Sequence, residues 1–199
     1  YNEITSDTYL AGTVDQNSFQ VYDSLRYSPA RRLVLNGTLS FETADNVDAS
    51  DAWSYRLAAN YQLRHDLVLR VMHARSERLP DVYETSRDWR YLFDFDAGEV
   101  NHLCKSAAHL IRMANSPDDL EPEALRTTEI GLSFSRFNNV QADVKLFVED
   151  YSDLISEAFN YVDFELTNNG ELETQGIEFV IHHQTMSGFE WGSSGLIKY

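Results

Sequence analysis

The sequence predicts an all-β fold of antiparallel strands joined in an up-and-down order. Three observations predict it. Apolar side chains recur at every second position through most of the chain, which is the period of a strand and not of a helix. The predicted strands exceed the five to six residues that are usual, at roughly ten. Short and long connections alternate along the chain.

The alternation is clearest between Val140 and Val148, where every second residue is apolar and the positions between are polar except for Phe147. Leu33–Phe41, Trp53–Tyr61 and Ile177–Ile181 repeat the pattern. Nine strands are predicted in this way. They cover 3–12, 18–28, 31–43, 52–63, 66–77, 125–137, 139–152, 172–185 and 188–199.

The connections predict where the strands lie. Tight turns are predicted at Pro29–Ala30, His65, Asn138 and Met186–Ser187, and longer connections at 13–17, 44–51, 78–124 and 153–171. Strands joined in sequence place alternate connections at opposite ends, so one end carries short turns and the other long loops, as in membrane barrels. A soluble Greek-key sandwich has no reason to alternate so regularly. Aromatic residues near many strand ends favour the same fold.

The prediction is therefore a transmembrane antiparallel up-and-down β-barrel, of which this chain supplies about nine strands. The long segment 78–124 is expected to form an extracellular loop. A short helical turn is predicted at Leu79–Glu84, after Pro80, and an amphipathic helix at Asn101–Met113. The chain begins at Tyr1 and ends at Tyr199 inside a predicted strand, so we expect more of the barrel beyond both ends.

Composition excludes several function classes. The 199 residues carry a formal net charge of −16, which disfavours nucleic-acid binding because phosphates repel an acidic surface. Cys104 is the single cysteine, so an internal disulfide is impossible. No apolar run approaches the roughly 18 residues of a membrane helix. No nucleophile motif is present, so no enzymatic activity, catalytic residue or cofactor is predicted.

The loop 78–124 is the predicted ligand-contact region because it combines arginines with aromatic residues, which suit an anionic aromatic chelate. The alternative is that they pack the loop on itself or extend a strand above the membrane. The proposed contact residues are Arg87, Trp89, Arg90, Tyr91 and Phe93.

Metal binding in the same loop is not predicted. His102, Cys104, His109 and Met113 lack the spacing of known metal motifs. The acidic stretch around Asp94 and Asp96 lacks a complete calcium-loop pattern, so its carboxylates are expected to be solvated.

Three local patterns resemble the barrel of TonB-dependent outer-membrane receptors. Arg78, Pro80 and Glu84 resemble a stretch at which a strand enters a large surface loop. Leu120, Pro122 and Glu123 followed by Glu129 and Gly131 resemble a second motif. Phe147, Asp153-Leu154-Ile155, Asn168, Gly176 and Glu178 resemble a strand, loop and strand of the family. Proline cannot donate a ladder hydrogen bond, so Pro122 fits a strand entry. Glu129 and Glu178 are expected to point into the lumen, where water or a plug domain can satisfy them.

The resemblance implies a function and a location. It implies a receptor of the Gram-negative outer membrane that binds and actively imports a scarce ligand, most often a ferric siderophore. Its partners would be outer-membrane lipid and, through a plug region missing from these residues, a TonB-type energy-coupling protein. The alternatives are a passive porin-like barrel and a soluble β-sandwich with binding or adhesive loops.

Overall fold

A computed structural model describes the backbone of 2–6, 12–45, 51–95, 107–115, 119–136, 139–157, 164–185 and 187–199. Side chains are described in 16–45, 51–87, 119–136, 139–156, 166–185 and 187–199. These residues form twelve strands and one short helix. The strands are β1 Asn2–Ser6, β2 Gly12–Gln16, β3 Ser18–Ala30, β4 Leu33–Ala44, β5 Asp51–Arg64, β6 Leu67–Arg78, β7 Asp88–Phe95, β8 Ala107–Asn115, β9 Glu123–Arg136, β10 Val140–Glu157, β11 Phe164–Gln184 and β12 Glu190–Lys198, and the helix is α1 Val82–Ser86.

Eight of the strands form one antiparallel meander in the order β3-β4-β5-β6-β9-β10-β11-β12. The strands β6 and β9 pair directly, from Leu67 with Phe134 to Arg78 with Glu123, although 44 residues separate Arg78 from Glu123. The elements α1, β7 and β8 lie within that connection. The pair β1 and β2 forms a separate two-stranded sheet. Within the described ranges, no helix is long and apolar enough to cross a membrane.

Eight of the nine predicted strands correspond to the meander, so the all-β up-and-down prediction is confirmed. The predicted strand 3–12 was wrong, because it contains β1 and the start of β2, with 7–11 outside the described residues. The first tight turn lies at Arg31–Arg32 and not at Pro29–Ala30. Pro29 instead falls at a register irregularity between Tyr27 and Ala30, where a missing backbone donor is tolerated.

Two predictions for the long connections were also wrong. The predicted helix Asn101–Met113 is a strand from Ala107 onward, and 101–106 lie outside the described residues. The predicted loop 153–171 is mostly strand, because β10 continues to Glu157 and β11 already begins at Phe164. The short helix after Pro80 is confirmed, at Val82–Ser86.

The meander has two chemically different faces. Its apolar face carries exposed large side chains such as Leu57, Leu132 and Leu146. Its polar face carries side chains such as Arg56, Glu129 and Lys145, which alternate with them along the strands. A protein surrounded by water would rarely leave an apolar face of this width exposed.

The apolar face forms an oblique belt. On β3 the exposed apolar stretch runs from Phe19 to Tyr27, centred on Asp23, and along β12 and its flanking residues it runs from Phe189 to Tyr199, centred on Ser194. The row of paired residues that starts at Leu25 on β3 ends, seven strands further, at Tyr199 beside β12. With the ends that carry the long connections at the top, Leu25 is two residues below Asp23 and Tyr199 is five residues above Ser194, so the belt descends seven residues across the sheet.

This descent gives the tilt of the strands relative to the belt. Seven residues rise about 23 Å along a strand, and seven strand-to-strand steps span about 34 Å, so the angle is about 35°. Strands of closed membrane barrels tilt by about 35–45°. If the strands tilt by this angle from the membrane normal, the belt lies parallel to the membrane plane.

The buried residues concentrate at the end of the sheet that carries the long connections, here called the long-loop end. Ala44, Ala52 and Leu79 form one buried cluster there. Pro80 is fully buried. Val82, Leu120, Ala124 and Leu166, which lie at or just beyond the same end of their strands, are also buried. The opposite, tight-turn end carries the short turns between consecutive strands.

Candidate functional site

The entry to the long β6–β9 connection is fixed by a capped helix. Asp81 is the N-cap of α1, and its Oδ1 accepts the Glu84 backbone N–H at 2.8 Å. The Glu84 carboxylate accepts the Asp81 N–H in return, also at 2.8 Å. This reciprocal capping box satisfies backbone donors that a helix start leaves open. Pro80 precedes the cap and is fully buried, so the chain turns sharply as it leaves β6.

Arg78 is the centre of an ionic cluster at this point. Its two terminal nitrogens donate to the two Glu84 carboxylate oxygens at 2.9 and 3.0 Å, a bidentate pair. Its Nε donates to Glu123 Oε2 at 2.7 Å, and Glu123 Oε1 accepts the Ile155 N–H at 2.8 Å. Arg78 thus joins the end of β6, helix α1, the start of β9 and, through Glu123, the upper part of β10.

The charges in the cluster stabilise each other. The hydrogen bonds that Arg78 donates to Glu84 and Glu123 raise the pKa of Arg78 above its ordinary value. Burial alone would raise the pKa of Glu123, but the hydrogen bonds from Arg78 and Ile155 and the charge of Arg78 outweigh it and lower that pKa. Both groups lie above the apolar belt. Both shifts favour the charged forms of Arg78 and Glu123.

Asn168 makes a second link across the same rim. Its side-chain oxygen accepts the Glu121 N–H at 2.8 Å, and its amide nitrogen donates to the Glu121 carbonyl at 2.8 Å and the Asp153 carbonyl at 2.7 Å. Asp153 has a φ of 58°, a left-handed conformation that Asp tolerates better than most residues. The β10–β11 register shifts between Tyr151 and Leu154, so Asn168 satisfies backbone groups where the ladder is interrupted.

We call Arg78, Asp81, Glu84, Glu121, Glu123, Asp153 and Asn168 the rim cluster. Arg78, Pro80, Glu84, Leu120, Pro122, Glu123 and Asn168 of the resemblance motifs come together in or directly beside it. These motifs are distant in sequence, and the fold places them at one edge. Asp81 was missed by sequence reasoning. The Asp81-x-x-Glu84 spacing is a capping signal that could have found it.

Most of the predicted ligand-contact residues come shortly after Glu84 of the rim cluster in the sequence. Trp89, Arg90, Tyr91 and Phe93 lie on β7, which pairs with β8 in an antiparallel hairpin. The hairpin joins the main sheet through a short parallel pairing of β8 with β11, at Ala114 with Phe164 and Asn115 with Glu165. The β7 side chains lie outside the described set. The backbone nevertheless places these four positions on one strand that stands on the rim.

Arg87 differs from its neighbours. Its side chain is 2% exposed, and its guanidinium carbon lies 5.9 Å from the centroid of the Tyr83 ring. A cation over an aromatic face is attracted by the ring quadrupole. Contact between Arg87 and a ligand would therefore require the base of the hairpin to open.

The polar face carries a second network, below the rim cluster. Lys145 Nζ lies 2.9 Å from Glu178 and 3.5 Å from Glu129, so both motif glutamates lie on this face and share one cation. Phe147 is buried, with Lys145 and Lys198 at 5.8 and 5.6 Å from its ring centroid.

Two glycines of the resemblance motifs lie on the polar face. A Cβ on Gly176 would collide with the Ile197 carbonyl oxygen and stand 2.8 Å from Phe147, so only glycine fits there without movement. Gly131 is less crowded, because a Cβ there would stand 3.3 Å from the Val144 carbonyl oxygen.

The candidate metal ligands named from the sequence lie outside the part of the chain whose side chains are described. Across the part of the chain that the structure describes, no group of three or more His, Cys, Asp or Glu residues could hold a metal ion. Asp96, His102 and Cys104 lie outside the described residues, and the side chains of Asp94, His109 and Met113 are not described.

The family model for the TonB-dependent receptor-like β-barrel matches residues 1–199. The chain belongs to the TonB-dependent receptor β-barrel family. That family is a class of outer-membrane transport receptors of Gram-negative bacteria and not a class of enzymes. A comparison with curated proteins gives no match.

Solved receptor structures share the fold. The siderophore receptor PirA from Acinetobacter baumannii superposes with a TM-score of 0.72 and 16% identity, covering 94% of this chain and 28% of that one. PirA from Pseudomonas aeruginosa gives 0.74 and 14%, covering 94% and 35%. The FrpB iron transporter from Neisseria meningitidis gives 0.63 and 17%, covering 92% and 26%. The chain thus spans about a third or less of these receptors, and identities this low show the fold alone.

Proposed function

We propose that this chain is part of the barrel wall of an outer-membrane receptor that binds a scarce ligand, a ferric siderophore, and imports it actively. One observation carries the proposal. The sheet combines an oblique apolar belt with a polar opposite face, and its rim cluster and hairpin both stand at one end. A belt at barrel tilt supports insertion into a membrane, and an elaborated single rim supports ligand capture outside it.

The orientation follows from the asymmetry of the connections. Outer-membrane barrels have short periplasmic turns and longer extracellular loops. We therefore assign the tight-turn end to the periplasm, and the connection 78–124 to the cell exterior. Residues 1–199 would then be one portion of a larger barrel, and the plug domain would lie elsewhere in the receptor.

The hairpin is the proposed ligand-contact element. Trp89, Arg90, Tyr91 and Phe93 provide one cation and three aromatic rings on a single strand, a combination that suits an anionic aromatic iron chelate. Arg87, at the buried base, would contact ligand only if the hairpin moved. Two of the similar structures are named as siderophore receptors, which supports this ligand class. A third is named as a copper transporter, OprC, with a TM-score of 0.64, so copper belongs among the test ligands.

Energy coupling would act through the plug. The polar face bearing Lys145, Glu129 and Glu178 is the surface that a plug would meet inside a closed barrel. A TonB-type protein would bind the plug region and not the residues described. A passive porin needs no such partner, which makes coupling the property that separates the two functions.

Transport in cells tests the proposal. The gene for the complete receptor would be expressed in iron-starved cells with and without the energy-coupling protein, and uptake of ⁵⁵Fe-loaded catecholate and hydroxamate chelates measured. We expect uptake of at least one chelate that is lost without the coupling protein. Uptake that persists without it would indicate a passive barrel. Coupled uptake of copper but of no ferric chelate would refute the siderophore assignment alone.

The contact residues have a matched test. Arg90→Ala is expected to weaken chelate binding by roughly tenfold, the size of one charge-assisted contact. Arg31→Ala, in the exposed turn at the opposite end, is the control and should bind as the unmodified receptor does. Equal affinity in both variants would remove Arg90 from the proposed site.

A further inference from the structure

Two arginines stand side by side on the apolar face, where the belt ends. Arg75 on β6 and Arg126 on β9 are direct register partners. Directly below them in the same two strands lie His73 and Thr128, and then Val71 and Ile130 of the belt. Like charges directly opposite each other in a sheet destabilise it, so the pair needs a compensating group.

The carboxylates nearby compensate only part of this charge. Arg75 forms a close ion pair with Glu77, whose Oε2 also accepts the Trp53 N–H at 2.7 Å. Arg126 reaches Asp150 only at 4.0 Å, and both of those side chains are about half exposed. The Arg75 Nε is buried and lacks a hydrogen-bond partner among the residues described.

The neighbouring polar groups of this face are occupied. His73 Nδ1 lies 2.9 Å from Thr128 Oγ1, and its Nε2 lies 3.3 Å from the Tyr55 hydroxyl. Neither of these two hydrogen bonds involves an arginine. The Arg75 side chain is 36% exposed and the Arg126 side chain is 53% exposed, so both guanidinium groups reach the surface of this face.

The tilt of the belt sets the depth of the pair. A belt that descends seven residues over seven strand steps reaches its upper edge at about Arg75 on β6 and Arg126 on β9. Trp53 and Tyr55 on the adjacent strand lie on the same face, and such aromatic residues mark the membrane interface. In a membrane, the two arginines would lie at the level of the lipid headgroups of the leaflet next to the long-loop end.

We propose that Arg75 and Arg126 bind the phosphate group of a lipid in that leaflet. A phosphate offers several anionic oxygens, and two guanidinium groups can each donate to it in the bidentate geometry that arginine favours. The lipid would neutralise the like-charge pair, and its acyl chains would cover Val71 and Ile130 directly below. This inference rests on the membrane location and orientation in the proposed function. It assigns a lipid headgroup and not free phosphate, because the site opens onto the apolar belt.

A lipid-retention experiment tests the proposal on the complete receptor. The receptor would be purified in dodecyl maltoside, mixed with equal amounts of phosphatidylglycerol and of diacylglycerol, which lacks the phosphate, and studied by native mass spectrometry. We expect a preference for the anionic lipid of about tenfold, since each arginine near a headgroup contributes and the adjacent carboxylates reduce the sum. The double variant Arg75→Gln/Arg126→Gln should lose this preference, whereas Arg31→Gln at the tight-turn end should keep it.

The remaining measurements distinguish the ways in which the lipid proposal could be wrong. Unchanged preference in the double variant would overturn the assignment. Displacement of the lipid by 10 mM inorganic phosphate would overturn the headgroup source in favour of a free-anion site. If the double variant does not fold, Arg75→Lys/Arg126→Lys keeps both charges but loses the forked donors, and a preference equal to that of the unmodified receptor would overturn the phosphate geometry. ⁵⁵Fe uptake is measured in parallel, so a receptor that retains the lipid but imports no chelate contradicts only the proposed transport function.

Discussion

Replacing Arg78 by alanine should release the base of the hairpin without unfolding the barrel wall. Arg78 is the shared partner of Glu84 and Glu123, whose side chains are only 17% and 18% exposed. Its removal would leave two largely covered carboxylates facing each other. The capping box at Asp81 would remain, but nothing in the cluster would hold α1 against the start of β9.

The size of the effect follows from the contacts. A hydrogen bond to a charged group contributes about 1.5–3 kcal/mol, and Arg78 makes three. Because Arg78 itself is 48% exposed, solvent screens much of this, and a net local loss of about 2–3 kcal/mol is expected. That loss corresponds to roughly 30- to 150-fold more frequent local opening.

Hydrogen exchange on the complete receptor in detergent measures this opening. Amide exchange in 79–87 and 121–124 should accelerate by that factor, while exchange in the lower half of β9 stays unchanged. Arg78→Lys should show an intermediate effect because it keeps the charge but not the bidentate pair. Arg31→Ala is the exposed control. Exchange within twofold of the unmodified receptor in Arg78→Ala would refute the view that Arg78 holds this rim together.

Three further predictions concern other parts of the wall. Gly176→Ala should lower the yield of folded receptor, because its new carbon would stand 2.8 Å from the Phe147 ring and closer still to the Ile197 carbonyl oxygen, whereas Gly192→Ala, with 3.6 Å to its nearest neighbour, should fold normally on a heat-modifiability gel. Leu132→Lys, in the middle of the belt, should destabilise the receptor in lipid vesicles by about 2–4 kcal/mol in chemical unfolding, clearly more than Leu132→Ala does; equal losses would argue against lipid contact. Because the pKa of Glu123 is lowered on folding, its stabilising effect is complete above its ordinary pKa of 4.5 and is lost as pH falls through the lowered value. Amide protection of the rim should therefore be constant from pH 7 to 5 and fall below about 4.5, and a decline that starts near pH 6 would contradict this assignment.

The meander could be predicted because one physical constraint shapes its sequence. Where one face contacts an apolar medium and the other does not, side chains must alternate, as they do from Val140 to Val148. The tight turn at His65 could be predicted in the same way, whereas the first tight turn was misplaced by two residues. The alternation of apolar and polar side chains is not required above the belt, because both faces of the sheet contact water there. There β10 and β11 continue as strands through polar residues such as Asp153 and Asn168, which sequence reasoning assigned to a loop.

The hairpin could not be predicted for a related reason. The apolar residues of this segment fit the spacing of a helix; they are Leu103, Ala107, Leu110 and Ile111. A short apolar run cannot by itself distinguish a helix from a strand. Pairing with β7 and with the end of β11 decides the matter. These are contacts with distant residues, so tertiary structure overrides the local preference.

Sequence reasoning could identify part of the rim cluster. The motif residues Arg78, Glu84, Glu123 and Asn168 could be singled out by their resemblance to a family pattern. The contacts between them could not be predicted, because Asn168 binds the backbone of Glu121 and Asp153, and Glu123 binds the backbone of Ile155. Backbone groups carry no sequence signal, so only the fold shows which segments the motif residues hold together.

The central claim is that adjacent residues of one strand face lipid and water in turn. Spin labels at Val144 and, one residue earlier, Asp143 in the complete receptor in lipid vesicles test it most directly, by relaxation with oxygen and with a water-soluble nickel chelate. The label at Val144 should respond mainly to oxygen, which concentrates in the acyl chains, and the label at Asp143 should not. Equal responses at both positions, or nickel access at Val144, would contradict the assignment of the apolar belt to the membrane.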